Sequence, residues 1–116
     1  LNIAPLENDV WSHKKMLKII SHTPVEIEKL QRAQGEGGWI DVARQFTPPE
    51  EKLYSWWSYR SPNWQTADLG RRLDHIWASA DLAGCLKGCS TLRAARAWEN
   101  PVMPSDHVPV TAVLSV

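Results

Sequence analysis

The chain has 116 residues, which is enough for one domain with its own hydrophobic core. Lysine and arginine number 13, aspartate and glutamate also number 13, and the formal charge is therefore zero. This balance excludes a strong overall attraction to nucleic acid or to an anionic membrane, so any polyanion site must be a local patch. Seven tryptophans stand against one phenylalanine, and these indoles must lie either in the core or on a stacking surface.

The sequence predicts a cytoplasmic protein without membrane contact. No apolar run reaches the length of a membrane span, and the first residues lack the basic and apolar sections of a signal peptide. Cys85 and Cys89 lie in CLKGC, a spacing that fits neither a CxxC motif nor the disulfide framework of a secreted domain. We therefore expect reduced thiols.

The first half of the chain predicts two helices. Thr23 has the character of an N-cap, with Pro24 at the first helical position and Glu26 at the third, which is the pattern of a capping box. Gly35 predicts the end of this helix. The apolar spacing of WIDVARQF at residues 39–46 predicts a second, shorter helix.

The second half predicts mainly strands. LYSWWSYR at 53–60 predicts a strand of about six residues, and RRLDHIWAS at 71–79 predicts another. ADLAGCLKG at 80–88 predicts a short helix or turn. CSTLRAARAW at 89–98 fits a strand or a helix, and its alanine and arginine content favours the helix. HVPVTAVLSV at 107–116 predicts a final strand, which gives a mixed α/β arrangement.

Polar side chains occur where packing alone would not place them. Asn2 lies in the first extended stretch, and Asp74 alternates into an otherwise apolar strand. Asp106 and His107 stand together in PSDHVPV, just ahead of the final strand. A loop that ends at a strand can hold an exposed side chain rigidly, which suits chemistry. A surface imidazole beside a turn-forming aspartate is the alternative interpretation of this pair.

Four segments together resemble the exonuclease III branch of the endonuclease/exonuclease/phosphatase superfamily. LNIAPLENDVW at 1–11 resembles the end of its Gly-Asp-x-Asn-x-Ala-Pro motif, and SWWSYR at 55–60 resembles its Ser-Trp-aromatic-x-Tyr-Arg strand. GRRLDHIW at 70–77 resembles its Gly-x-Arg-apolar-Asp strand, and PSDHVPV at 104–110 resembles its Ser-Asp-His motif. The order and spacing of the four agree over the whole chain.

The resemblance implies a fold and an activity. The fold is the C-terminal half of a four-layered, DNase I-like α/β sandwich, with a mixed, largely antiparallel sheet and helices on one face. The activity is metal-dependent hydrolysis of DNA, as a 3′→5′ exodeoxyribonuclease and abasic-site endonuclease in DNA repair. The cofactor is Mg²⁺ or Mn²⁺, and the partner is double-stranded DNA with abasic sites or 3′ ends.

The family pattern also implies roles for single residues. Asp74 orients the imidazole of His107 toward the scissile phosphate. Asn2 donates to the phosphate or to the attacking water, and Asp106 binds the metal or its water. The candidate metal ligands are Asn2, Asp106 and His107. The candidates for DNA contact are Trp56, Arg60, Arg71 and Arg72.

Each of these assignments has a plainer alternative. Trp56 could be a core residue, since most indoles are, and the three arginines could form a solvated face. Asp74 could pair with Arg71 or Arg72 instead of with an imidazole. The remaining histidines have no ligand partners at a useful spacing, and we predict structural roles for His13, His22 and His75.

The resemblance also limits what the chain can do alone. The family's general-base aspartate, two residues before Asn2, has no counterpart, and neither has its upstream metal-binding glutamate. We therefore expect residues 1–116 to be the C-terminal part of a single domain whose N-terminal half is absent, and to be inactive alone. We expect the exposed sheet face to associate with that half or with a second copy. A non-catalytic DNA-binding fragment, or a superfamily hydrolase with a non-DNA substrate, is the alternative.

Overall fold

The structure, a computed structural model, describes residues 1–99 and 103–116. Within these ranges helices and short strands alternate: α1 (His13–Met16), α2 (Pro24–Gly37), β1 (Ile40–Asp41), α3 (Val42–Phe46), α4 (Trp64–Ala67), β2 (Trp77–Ala78), β3 (Leu86–Thr91) and β4 (Val110–Leu114). Short 3-10 helices occupy Glu7–Asp9, Ala80–Cys85 and Arg93–Ala97. The predicted mixed α/β class is confirmed.

The strands form two antiparallel pairs. β1 pairs with β2, with Ile40 opposite Ala78. β3 pairs with β4, from Leu86 opposite Leu114 to Thr91 opposite Val110, with an irregularity between Leu86 and Gly88. The predicted antiparallel pairing is confirmed, although the described strands form two small sheets and not one continuous sheet.

Helix α2 begins as predicted and ends later. Glu26 accepts a hydrogen bond from the backbone N–H of Thr23 at 3.1 Å, which completes the capping box. The helix continues through Gly35 and is capped by Gly38, whose φ of 62° lies in the left-handed region. The predicted stop at Gly35 is wrong because the left-handed conformation that ends a helix falls three residues later.

Two other predictions need correction. Residues 53–60 form no regular strand and pair through isolated bridges at Trp56, and residues 71–79 form a regular ladder only at β2. The favoured helix at 89–98 is wrong for its first part, which belongs to β3, while Arg93–Ala97 forms a 3-10 helix. Pairing with β4 outweighs the helical propensity of this stretch.

Two adjacent tryptophans connect two parts of the core. Trp57 is buried with Ala95 and Val108, whereas Trp56 packs against a separate cluster that includes Val10 and Leu73. Successive side chains of an extended strand point to opposite sides, which explains the division. The segment 55–60 therefore lies between both clusters, and its position is fixed from two sides.

Two further expectations can be compared with the structure. Cys85 and Cys89 are free thiols, as predicted. In the part of the chain that the structure describes, no helix is both long enough and apolar enough to cross a membrane.

Candidate active site

The site lies where three extended segments meet. Trp56 bridges to Arg71 on one side and to His107 on the other. The backbone N–H groups of Trp56 and Arg71 each donate to the other residue's carbonyl oxygen at 3.0 Å. The SWWSYR segment thus lies between the other two segments, and it brings the residues Asp74 and His107 together.

Asp74 and His107 form a hydrogen-bonded pair. Nδ1 of His107 lies 2.9 Å from Oδ2 and 3.1 Å from Oδ1 of Asp74. An ionised carboxylate only accepts hydrogen bonds, so Nδ1 carries a proton and donates, and Nε2 is the nitrogen left for a ligand. The side chains of His107 and Asp74 are 33% and 36% exposed. The imidazole is therefore held in one orientation while it remains accessible.

A third residue, Ser55, holds Asp74 in place and was missed by the sequence prediction. Its hydroxyl donates to Oδ2 of Asp74 at 2.7 Å. The Ser55 hydroxyl oxygen also accepts hydrogen bonds from the backbone N–H groups of Leu73 at 3.0 Å and Asp74 at 3.1 Å. Ser55 is buried, so these bonds are shielded from water. A serine between bulky aromatic residues on a strand is the sequence signal that could have identified it.

Asp106 is oriented by Trp56. The indole Nε1 donates to Oδ2 of Asp106 at 2.9 Å, and the backbone N–H of Trp57 donates to the carbonyl of Asp106 at 3.0 Å. The guanidinium carbon of Arg71 lies 4.9 Å from the centre of the Trp56 ring, as a cation–π contact. Trp56 therefore links the carboxylate to a positively charged group on the neighbouring strand.

The predicted arginines occupy different environments. Arg60 is exposed, and Arg71 is partly buried. Arg71 donates to the carbonyl of Ile20 at 3.2 Å and to the hydroxyl of Ser21 at 3.1 Å, which fixes its position over the indole.

Arg72, a predicted DNA-contact residue, is part of a buried ion cluster. Nε donates to Asp9 and Nη1 donates to Asp41, both at 2.8 Å, and Nη2 donates to each carboxylate. Arg44 also binds Asp9 at 2.6 Å. Burial opposes the charge of Arg72, but its hydrogen bonds to Asp41 and Asp9 raise its pKa above the usual value. An enclosed guanidinium that already donates to two carboxylates is poorly placed to contact DNA.

Asn2 is exposed on an N-terminal segment that buried groups hold in place. His75 Nε2 lies 2.6 Å from the carbonyl oxygen of Ile3, and His22 Nδ1 lies 2.7 Å from that of Ala4. Burial lowers the pKa of both imidazoles, so they are neutral at pH 7. Among the described residues, no hydrogen bond joins Asn2 to the other predicted catalytic side chains.

The described residues include oxygen donors of the kind that a metal site uses. The carboxylate of Asp106 and the amide oxygen of Asn2 are donors of the kind that hard cations prefer, whereas the imidazole of His107 is not. In residues 1–99 and 103–116, no group of three or more His, Cys, Asp and Glu side chains is arranged to hold a metal ion. A bound cation would therefore need further ligands, such as water, substrate oxygens or groups from outside this chain segment.

The chain is similar to known nucleases over almost all of its length. A model of the Endonuclease/Exonuclease/phosphatase family matches residues 1–107. The DNA repair nuclease APEX1 of Danio rerio is 33% identical over 117 residues, and the exodeoxyribonuclease III of Haemophilus influenzae is 31% identical over 118 residues. An AP endonuclease structure from Archaeoglobus fulgidus matches with a TM-score of 0.90 at 30% identity.

The chain covers less than half of each of these relatives. The alignments include 100% of this chain but 34% of the Danio protein, and 97% of this chain but 42% of the Haemophilus protein. The structural match covers 99% of this chain and 43% of the Archaeoglobus protein. Each relative therefore contains more than half its length outside the region of similarity.

Proposed function

Because the chain belongs to the endonuclease/exonuclease/phosphatase family, as its four sequence motifs predicted, we propose that it carries part of a DNA repair nuclease active site. The reaction is metal-dependent hydrolysis of phosphodiesters, by a 3′→5′ exodeoxyribonuclease that also cuts at abasic sites. The relatives support this substrate, since they are a DNA repair nuclease, an exodeoxyribonuclease and an AP endonuclease. The observation that carries the proposal is the Asp74–His107 hydrogen bond beside Asp106.

The two ring nitrogens of His107 have different roles in this proposal. Nδ1 donates to Asp74, which fixes the tautomer and the orientation of the ring. Nε2 is then available to contact an oxygen of the scissile phosphate, where negative charge develops during hydrolysis. Ser55 acts on His107 only indirectly, because it holds the Asp74 carboxylate by a 2.7 Å hydrogen bond.

Asp106 and Asn2 are the proposed ligands of a divalent cation, either Mg²⁺ or Mn²⁺. Nucleases of this family generally depend on divalent metal ions. Such an ion supplies Lewis-acid stabilisation of the phosphate when it is bound. Trp56 orients the Asp106 carboxylate through its indole N–H. We assign His107 to the phosphate in preference to the metal, since hard cations favour oxygen ligands.

We propose that Trp56 and Arg71 form one DNA-contacting surface. Trp56 is half-buried, and the Arg71 guanidinium covers part of its ring. The guanidinium suits a phosphate, and the remaining indole surface suits a deoxyribose or a base. Arg60, three residues after Trp57, is exposed and adds positive charge to the same segment. The proposed partner is duplex DNA with an abasic site or a 3′ end.

Residues 1–116 are, in this proposal, the C-terminal part of a single domain. Support comes from the 34–43% of the relatives' length that the chain spans, taken with the incomplete ligand group around Asp106. We therefore expect negligible hydrolysis by these residues alone. On β4, Val113 is 60% exposed and Leu114 is 41% exposed. These apolar side chains suit contact with the rest of the domain or with a second copy.

Cleavage of an abasic-site duplex in the presence of Mg²⁺ tests the proposal. Residues 1–116 are compared with a chain that also carries the upstream half of the domain, each with and without His107→Ala. We expect the longer chain to cut, and the substitution to slow it by about 10²–10⁴-fold. His13→Ala is the matched control. The His13 imidazole contacts His22 and has no role in the proposed site, so its removal should leave the rate nearly unchanged.

Two results would replace this function by another one. If the longer chain ignores DNA but hydrolyses other phosphoesters, the substrate is wrong and the phosphatase relatives become the better guide. If both chains bind DNA and neither cuts it, the segment belongs to a non-catalytic DNA-binding protein.

A further inference from the structure

A groove of about 780 Å³ is lined by none of the residues that have a role in the proposed function. It is formed by the end of the SWWSYR segment, by α4, by the Arg93–Ala97 helix and by the start of the PSDHVPV segment. Its lining includes Tyr59, Trp64, Gln65, Arg96, Met103 and Pro104.

Tyr59 gives this groove a rigid aromatic wall. Its hydroxyl donates to the carbonyl oxygen of Pro104 at 2.7 Å. The guanidinium carbon of Arg96 lies 4.9 Å from the centre of the tyrosine ring. Tyr59 is nevertheless 45% exposed. A ring that is fixed at its edge and on one face, yet remains exposed, is a preorganised stacking surface.

Arg96 places a positive charge at the inner side of the groove. It is 6% exposed, and its Nε donates to the carbonyl of Trp57 at 3.2 Å. Its guanidinium also lies 5.4 Å from the centre of the Trp64 ring. Among residues 1–99 and 103–116, no carboxylate forms a salt bridge with Arg96, although Glu99 contributes to the same lining. The charge is therefore held by aromatic rings and not by an acidic partner.

Two residues connect the lining of the groove with the surface at His107. A neighbouring depression is lined by Ser105 and His107 and shares Met103 and Pro104 with the groove. A nucleic-acid strand with one phosphate at His107 could therefore continue past Pro104 along the protein surface.

We propose that this groove binds the nucleotide adjacent to the scissile phosphate, with its base against Tyr59 and its phosphate near Arg96. The inference rests on the proposed function and deepens it by giving the same DNA strand a second contact. An exposed rigid ring and a guanidinium without an acidic partner match the base and the phosphate of a nucleotide.

The test measures DNA binding without cleavage. The Kd for a labelled abasic-site duplex is measured by fluorescence anisotropy in EDTA, with the chain that also carries the upstream half of the domain. Tyr59→Phe and Tyr59→Leu both lose the hydroxyl bond to Pro104, but only Tyr59→Leu loses the ring. We expect the Kd of Tyr59→Leu to be roughly 5- to 100-fold higher than that of Tyr59→Phe, as the loss of base stacking requires.

A second pair of variants tests the charge of the groove. Gln65 is exposed at the groove, so Gln65→Glu should weaken DNA binding and Gln65→Lys should strengthen it. The same changes at Gln45, an exposed residue of α3 that does not line the groove, are the matched controls and should have smaller effects.

Equal Kd values for Tyr59→Phe and Tyr59→Leu would overturn the groove as a stacking site. Equal shifts at Gln65 and Gln45 would overturn it as a phosphate site. Mg²⁺-dependent cleavage by the unsubstituted protein is measured separately. Failure of the proposed function therefore appears as absent cleavage, and failure of the groove appears as DNA binding that ignores these substitutions.

Discussion

Arg72 and Asp74 lie two positions apart on one segment and have opposite environments. Arg72 is 1% exposed and binds two carboxylates, whereas the Asp74 side chain is 36% exposed and binds an imidazole that is also accessible. A buried guanidinium that is held by two carboxylates is costly to remove and is not accessible to a ligand. A half-exposed pair keeps one nitrogen available. Within one short segment, Arg72 therefore has a structural role and Asp74 has a role in the proposed chemistry.

The largest effect should come from Arg72→Met. It would leave the buried carboxylates of Asp9 and Asp41 without their main positive partner, and we expect a loss of about 3–5 kcal/mol in the free energy of unfolding. This loss is measured by urea denaturation that is monitored by circular dichroism. Arg71→Met is the matched control, since Arg71 is only partly buried and has no carboxylate partner among the described residues. Equal losses for the two variants would show that the buried cluster does not stabilise the fold.

Ser55→Ala should have a smaller effect on stability and a distinct effect on activity. It leaves the buried N–H groups of Leu73 and Asp74 without an acceptor, which costs about 1–3 kcal/mol. We expect kcat to fall more than KM changes, because Asp74 loses the bond that orients it.

The control for Ser55 is Ser90→Ala, which removes an exposed hydroxyl paired with Thr111 at 2.9 Å. Its stability and activity should change little. A Ser55→Ala variant that is less stable but fully active would show that the hydroxyl supports the strand and not the site.

The buried His22 and the half-buried His75 should give the smallest effect, and it should depend on pH. Burial lowers the pKa of His22 and of His75, so below about pH 6.5 the unfolded chain binds protons that the folded chain does not. The free energy of unfolding should therefore fall as the pH drops from about 6.5 toward the folded pKa values, and this contribution should be constant above that range. Urea denaturation at about pH 7.5 and about pH 5.5 measures the change. If the free energy of unfolding of a His22→Gln variant fell as much over this pH range as that of the unsubstituted protein, the fall could not be assigned to His22.

The sequence identified the proposed catalytic residues, but it did not show which of the neighbouring charged residues is buried. Motif order pointed to Asp74 and His107, and the structure places them 2.9 Å apart. Nothing in RRLD distinguishes Arg71 from Arg72, because strand alternation assigns them to opposite faces without showing which face is covered. Only the distant residues Asp9 and Asp41 decide that Arg72 is enclosed.

The local errors in the fold have the same origin. Both Gly35 and Gly38 are acceptable helix ends by composition, and only the backbone conformation selects Gly38. Residues 86–91 carry a weak local preference, and pairing with β4 decides that they form a strand. Ser55 was missed because its importance comes from hydrogen bonds to residues 73 and 74. Its position among bulky aromatic residues marks it as unusual but does not show these partners.

The most direct test of the central claim is a double-mutant cycle between Asp74→Ala and His107→Ala, with kcat/KM measured on an abasic-site duplex in Mg²⁺ for the chain that includes the upstream half. If the pair acts as one unit, each substitution alone lowers kcat/KM by about 10²–10⁴-fold and the double variant is hardly worse than the weaker single variant. Losses that multiply in the double variant would contradict the account, because Asp74 and His107 would then act independently.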